Sequence, residues 1–109
     1  MAMVGTHWRL TSIDGSAPVR QAGANLSFEQ TRFSASVGCN SIGGDYRIET
    51  GRMISKSVIA TQMYCEGPVW NQELAVIALL AGAPAIKRQG QQLRLESAGH
   101  SLEAEASAN

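Results

Sequence analysis

The chain has 109 residues, of which 44% are hydrophobic and 17% charged, a composition typical of one folded domain rather than a disordered or fibrous segment. Nine basic and nine acidic residues give a formal net charge of zero, which argues against attraction to nucleic acid or to an anionic membrane surface. The sequence has neither the roughly 18 consecutive apolar residues of a membrane span nor a signal peptide, although it is equally compatible with a removed leader. We expect a single domain over residues 1–109, with its core at about 7–105.

Alternating apolar and polar residues predict strands through the first half of the chain. Gly43 and Gly44 permit backbone conformations closed to other residues, which predicts a hairpin rather than a phosphate-binding loop. Thr61, Met63 and Cys65 fall on one side of an extended segment. The predicted strands are His7 to Ile13, Asn25 to Phe28, Arg32 to Val37, a strand around Tyr46 to Ile48, and Met53 to Cys65 with an interruption near Ala60.

One segment, Pro68 to Ala81, has good helical periodicity, with Trp70 and Leu74 on the apolar stripe that continues through Ile77 and Leu80. Proline suits the first helical position, and Gly82 can adopt the left-handed conformation that ends a helix. After the helix, three short strands are predicted as a β-meander, and the end from Glu105 to Asn109 is expected to fray. These strands are Ala85 to Arg88, Gln92 to Glu96 and Ser101 to Ala104.

This order of elements predicts the fold class α+β, because a parallel sheet would need a helix at nearly every crossover. A single helix cannot cover both faces of a broad flat sheet. We therefore predict a strongly curved, mainly antiparallel sheet that forms a partly closed barrel, with the helix at about residues 68–81 packed on it or plugging one end.

Two motifs centred on cysteine stand ahead of the helix. Gly38-Cys39-Asn40 is followed by Gly43-Gly44-Asp45-Tyr46, and the second motif is Thr61-Gln62-Met63-Tyr64-Cys65. Together with Trp8-Arg9-Leu10 near the start and Glu73-Leu74 on the helix, they resemble the META domain family of HslJ-like proteins, over residues 8 to 104. The residues assigned to the family's structural motif are Gly38, Cys39, Asn40, Gly43, Gly44, Tyr46, Thr61, Met63 and Cys65.

The resemblance implies a barrel-like α+β fold and a place in the bacterial cell envelope, on the periplasmic side and in lipoproteins. It also implies an association with heat shock, stress and antibiotic tolerance, but no catalytic reaction. We therefore expect a monomeric, non-enzymatic domain without a cofactor, which binds a protein partner or a small ligand. Attachment to a membrane would come only from a lipid anchor outside this chain. The expected compartment is inferred from the family resemblance alone.

Cys39 and Cys65 are the two cysteines of the chain, and an even count fits a disulfide formed in an oxidising compartment. Such a bond would close a loop of about 27 residues and contribute roughly 3–4 kcal/mol. Buried free thiols are an alternative, and a reactive thiol or a metal ligand is another. The alternative functions are accordingly a thiol-based redox protein that uses both cysteines, and a purely structural accessory domain.

The remaining candidates for chemistry are weak. A zinc site needs about four ligands at close spacings, and His7 and His100 stand near opposite ends of the chain without a motif, so no metal site and no catalytic residue is predicted. Glu66 near the helix start is expected to interact with the helix dipole. Four large side chains are assigned to the core: Trp8, Met53, Met63 and Trp70.

Asn40 has two interpretations. Asparagine readily binds the backbone of its own turn, and this is the structural one. In the functional interpretation, Asn40, Asp45 and Tyr46 line a binding mouth.

Overall fold

The computed structural model describes residues 2–107, which contain ten strands, one α-helix and a short 3-10 helix at Gln21–Gly23. The helix, α1, is Pro68–Ala81. The strands are β1 His7–Ile13, β2 Ala24–Phe28, β3 Arg32–Val37, β4 Ser41–Asp45, β5 Arg47–Glu49, β6 Arg52–Ile54, β7 Val58–Ala60, β8 Ala85–Gln89, β9 Gln92–Ser97 and β10 His100–Ala106.

All ten strands belong to one antiparallel sheet, in the order β5-β6-β8-β9-β10-β1-β2-β3-β4-β7. The first strand and the last strand of the chain are therefore neighbours. The predicted α+β class and curled antiparallel sheet are confirmed, as is the terminal meander of β8 to β10.

A bent hairpin brings the two ends of this sheet together. β4 and β5 are separated only by Tyr46, yet they lie at opposite ends of the strand order. β4 pairs with β3 and β7, whereas β5 pairs with β6, which in turn pairs with β8. The chain from 41 to 60 is thus one long hairpin whose base joins β3 and whose tip joins β8, and this partly closes the barrel.

Tyr46 fixes the bend of this hairpin. Its backbone N–H donates to the Thr31 carbonyl at 3.0 Å, and its hydroxyl donates to the Glu29 carbonyl at 2.6 Å. Its ring packs edge-on against Phe28, with the ring centroids 5.1 Å apart. The side chain is 8% exposed, so a buried aromatic ring holds the corner where the strand changes partners.

The helix has the predicted bounds, but a different face of it is buried. Trp70 and Leu74 are 37% and 46% exposed, so the predicted apolar stripe is wrong at these two positions, whereas Leu80 is buried as predicted. The buried residues include Glu73, with Val69, Val76, Leu79 and Leu80 on the same side. Most positions of this helix are apolar, so more than one apolar stripe can be drawn on it. The predicted stripe was the one without the carboxylate of Glu73.

Gly82 follows the helix for a reason other than left-handed geometry. Its φ is −91°, and its N–H donates to the Leu79 carbonyl at 3.2 Å. A Cβ at this position would lie 2.7 Å from Oγ of Ser97. A side chain here would therefore displace the Ser97 hydroxyl, which donates to the Leu79 carbonyl at 2.7 Å.

Three further expectations are corrected. Trp8 and Met53 lie in the core as predicted, but Met63 is 57% exposed. The segment 61–65 forms no strand, and the Asn40 side chain, not a neighbouring strand, binds both the N–H and the carbonyl of Met63. Glu105 belongs to β10 and pairs with Arg9, so fraying does not begin there, and residues 108 and 109 lie outside the described residues. No helix within residues 2–107 has the length and apolarity to span a membrane.

Candidate functional site

The two cysteine motifs meet in the structure. Cys39 follows β3 and Cys65 precedes α1, and the two form a disulfide with their Cα atoms 6.4 Å apart. Both residues are partly buried and pack against the core. Of the alternatives that the sequence left open, the structure contains the disulfide, which ties the segment 61–65 to the start of β4.

Asn40, next to the disulfide, is 1% exposed and holds the same segment with its side chain. Its Oδ1 accepts from the Met63 N–H at 2.7 Å and from the Thr61 hydroxyl at 2.8 Å. Its Nδ2 donates to the Met63 carbonyl at 3.2 Å and to a carboxylate oxygen of Glu73 at 2.8 Å. The amide therefore binds partners more than 20 positions away, and not the backbone of its own turn.

Glu73 is among the residues that carry the family resemblance, but its role was not predicted from the sequence. It is 1% exposed, and its two oxygens accept from the backbone N–H and from Nδ2 of Asn40, at 2.9 and 2.8 Å. Sγ of Cys39, Sγ of Cys65 and a carboxylate oxygen of Glu73 all lie within 4.8 Å of one another. The sequence feature that could have indicated its burial is that Glu73 lies at helical spacing from three apolar residues, Val69, Val76 and Leu80.

Asp45 and Tyr46 do not join Asn40 around a common mouth. The Asp45 carboxylate accepts the backbone N–H groups of Lys56 and Ser57, and so closes the irregular part of the bent hairpin. The Lys56 N–H lowers the pKa of Asp45, desolvation opposes this shift, and further hydrogen bonds from Ser57 and Ser55 support it. Burial raises the pKa of Tyr46, and the charge of Glu29 adds to this effect. Each of these side chains therefore binds a different part of the chain from the one that Asn40 binds.

The glycines of the first motif are explained by close approach. Gly43 and Gly44 lie inside β4 without positive φ, so the predicted special backbone conformation is not what requires them. A Cβ on Gly44 would collide with the carbonyl oxygen of Ser57. Gly38 does have a positive φ of 108°, and the side chain of Arg20 covers it. Gly38 therefore combines positive φ with close packing, whereas Gly44 is required by close packing alone.

Outside the disulfide lies an exposed apolar surface, here called the apolar ridge, which consists of Met63, Tyr64, Trp70 and Leu74. Their exposed fractions are 57%, 85%, 37% and 46%. A shallow cavity of about 330 Å³ separates the segment from the helix. Its lining residues are Gln62, Met63, Tyr64, Cys65 and Trp70.

The other candidates have structural contacts of their own. His7 Nδ1 lies 3.1 Å from Oγ of Ser27, and His100 Nδ1 lies 2.8 Å from a carboxylate oxygen of Asp14. Glu66 accepts a hydrogen bond from the Tyr64 hydroxyl at 3.0 Å. Neither histidine belongs to the cluster formed by the two cysteines and Glu73.

A family model described as META domain matches residues 1–109. A search of curated proteins found no match. A protein solved by NMR is similar in structure with a TM-score of 0.79 at 22% identity, over 92% of this chain and 87% of the other. A second, an NMR structure of a protein from Burkholderia xenovorans, gives a TM-score of 0.77 at 25% identity, over 98% of this chain and 85% of the other.

Proposed function

Because the chain belongs to the META domain family, we propose that it is a stress-associated domain of the bacterial cell envelope that acts by binding a protein partner, not by catalysis. Induction by heat shock, membrane attachment through a lipid anchor outside this chain, and a contribution to antibiotic tolerance are parts of this proposal. The disulfide between Cys39 and Cys65 supports it, because structural disulfides persist mainly in oxidising compartments.

The observation that carries the proposal is the exposure of Tyr64 on an immobilised segment. Tyr64 is 85% exposed, yet the disulfide at Cys65 and the amide of Asn40 hold the chain on either side of it. A rigid, exposed aromatic side chain loses little conformational entropy on binding. Tyrosine, tryptophan and methionine are also enriched in the cores of protein interfaces, and tyrosine and tryptophan contribute most often to the tightest contacts.

A protein partner fits this surface better than a small ligand does. The cavity at the apolar ridge has about 330 Å³, near the lower limit for small-molecule pockets, and it is shallow. A larger concavity of about 740 Å³ crosses the outer face of β8 to β10, but the Arg94 guanidinium on its wall is already paired with Glu96 and Glu103. We therefore place binding at the apolar ridge, with an apolar segment of another protein as its occupant.

Complementation of a deletion strain tests the function. Survival of heat and antibiotic stress should be restored by the wild-type gene and not by the double variant Tyr64→Ser/Trp70→Ser. The matched control is Val4→Ser/Val19→Ser, which also removes two exposed apolar side chains, 58% and 53% exposed, from other parts of the surface. If cells with either double variant survive equally well, the apolar ridge is not the surface on which the function depends.

Site-specific photo-crosslinking tests the binding step. A benzophenone side chain at position 64 should give one discrete adduct in stressed cells, and Trp70→Ser with Leu74→Ser should abolish it. The same probe at the exposed position 91 should give none. Adducts of equal yield at both positions would indicate random collision.

The oxidation state of the cysteines tests the compartment. When cells are quenched in acid and then labelled with a bulky maleimide, Cys39 and Cys65 should remain unlabelled until a reductant is added. Complete labelling without reductant would place the protein in a reducing compartment and contradict the envelope location.

A second candidate function, thiol–disulfide exchange, is favoured by the carboxylate of Glu73 beside both sulfur atoms. In the exchange, a thiolate of a dithiol substrate attacks one sulfur, the other leaves as a thiolate, and a second attack releases an oxidised substrate and two thiols here. Multiple turnovers with a dithiol peptide and an oxidant, slowed by Glu73→Gln but not by Glu66→Gln, would support it. A single stoichiometric reaction without turnover would exclude it.

A further inference from the structure

We propose that the reduced form of this domain binds one divalent zinc ion between Cys39, Cys65 and Glu73. The three side chains come from three parts of the chain: the β3–β4 connection, the segment before α1, and the second turn of α1. Their two sulfur atoms and one carboxylate oxygen lie within 4.8 Å of one another. The proposal does not depend on the apolar ridge or on the compartment.

The donor set suits zinc. Two thiolates and one carboxylate leave the fourth tetrahedral position to water, as in zinc sites with three protein ligands. Thiolate ligands select zinc over hard cations such as magnesium or calcium. The sequence argued against zinc because it offered two cysteines and two distant histidines, and it did not reveal that the fold brings Glu73 to the same place.

Reduction frees the sulfur atoms for this role. A dithiol reductant supplies two electrons and two protons, its own sulfurs form a disulfide, and Cys39 and Cys65 become thiols. Zinc then displaces both thiol protons. Tetrahedral Zn–S bonds of about 2.3 Å place two sulfurs roughly 3.8 Å apart. The Cα separation of 6.4 Å allows this spacing by side-chain rotation.

The surroundings of Glu73 also favour a cation. Asn40 donates one hydrogen bond to each carboxylate oxygen, which orients the group as outer-shell partners orient metal ligands. A carboxylate has about four lone-pair sites, so both oxygens retain acceptor capacity. Among residues 2–107, none of the ion pairs involves this carboxylate, although it is 1% exposed. A buried carboxylate without a cationic partner is costly, and a bound dication offsets that cost.

The full chain, reduced with a phosphine and freed of reductant under nitrogen, is titrated with zinc against a chromogenic chelator. We expect one zinc per reduced chain and none per oxidised chain. Cobalt in place of zinc should give an intense near-ultraviolet thiolate-to-metal band. The absence of zinc binding by the reduced protein would overturn the proposal. A ratio of one zinc per two chains would also overturn it, because the zinc would then be bound by four cysteines from two molecules.

Glu73→Gln tests the third ligand, with Glu66→Gln as the matched control on a neighbouring exposed carboxylate. Removal of an outer-shell partner costs about 10- to 100-fold in metal affinity, so loss of a ligand should cost at least about tenfold. Glu66→Gln should bind as the wild type does. If Glu73→Gln fails to fold, Glu73→Asp serves instead, because its shorter carboxylate should weaken zinc binding while circular dichroism remains native. Equal affinity in a folded variant at position 73 would overturn the proposal.

Discussion

Replacing Asn40 by alanine removes four well-formed hydrogen bonds from the buried junction between the segment 61–65 and α1. They are the bonds to the Thr61 hydroxyl, the Met63 N–H, the Met63 carbonyl and the Glu73 carboxylate. At about 1 kcal/mol net for each bond, the free energy of unfolding should fall by about 4 kcal/mol. For a domain of this size the melting temperature should fall by roughly 20 °C.

Urea unfolding under non-reducing conditions, followed by far-ultraviolet circular dichroism, measures this loss. Asn25→Ala is the matched control, because the exposed Asn25 side chain makes one bond, of 3.3 Å, to the Gly23 carbonyl. The control should change stability by less than about 0.5 kcal/mol. A loss below about 1 kcal/mol in Asn40→Ala would refute the reasoning, since it would mean that water replaces the amide at no cost.

Asn40→Asp probes the same junction by charge. The substitution puts a second carboxyl group against Glu73, so the two groups must share a proton in the folded state. The folded protein then retains a proton that the unfolded chain has already released once the pH exceeds about 4. The deficit relative to the wild type should therefore be smallest in acid and should grow as the pH rises towards 7, which unfolding midpoints between pH 4 and 8 will show. A deficit that does not change with pH would contradict the assigned contact.

Three further predictions concern the disulfide, the bent hairpin and acid stability. Cys39→Ser/Cys65→Ser should lower the free energy of unfolding by about 3.5 kcal/mol in calorimetry, because the disulfide closes a loop of about 27 residues and so lowers the entropy of the unfolded chain. A loss below about 1 kcal/mol would contradict a stabilising role of the disulfide. Gly44→Ala should cost at least about 2 kcal/mol in urea unfolding because its Cβ would strike a backbone carbonyl. Gly43→Ala should cost less than half as much, because its Cβ would lie 3.3 Å from the nearest atom. The reverse order of the two losses would be inconsistent with the packing. The lowered pKa of Asp45 stabilises the fold above about pH 4, and this contribution is lost as the pH falls through the folded-state pKa. Asp45→Asn should therefore make the free energy of unfolding depend less on pH in the acid range. An unchanged pH dependence would disprove the assignment.

The helix shows how far local sequence signals reach. Pro68 and Gly82 gave its bounds correctly. Pro68 did so through the chain's own backbone, because it lacks an N–H that the first turn does not need, whereas Gly82 ends the helix with a φ of −91° and packs against Ser97 instead of forming the predicted left-handed cap. Its buried face was wrong. With apolar residues on most sides, only the surface that the sheet offers decides which stripe is covered, and Glu73 is accepted there because Asn40 supplies two donors.

The glycine pair and the methionine in the second motif show the same limit. Gly43-Gly44 marks a constraint on the backbone, but the sequence cannot distinguish a positive φ from the close approach of Ser57, which is 13 positions away. Met63 alternates with polar residues as a buried strand residue would, yet its backbone is bound by a side chain and its own side chain points outward.

The sequence by itself determined the α+β class, the helix bounds, most strands and the family motifs, because each is recorded in periodicity, turn residues or spacing along the chain. The tertiary structure alone decided that β4 and β5 close the barrel through one bend at Tyr46. It also decided that Glu73 meets the two cysteines, and that Tyr64 and Trp70 face outward. These outcomes depend on contacts between residues distant in the chain, where packing and hydrogen-bond satisfaction override local preference.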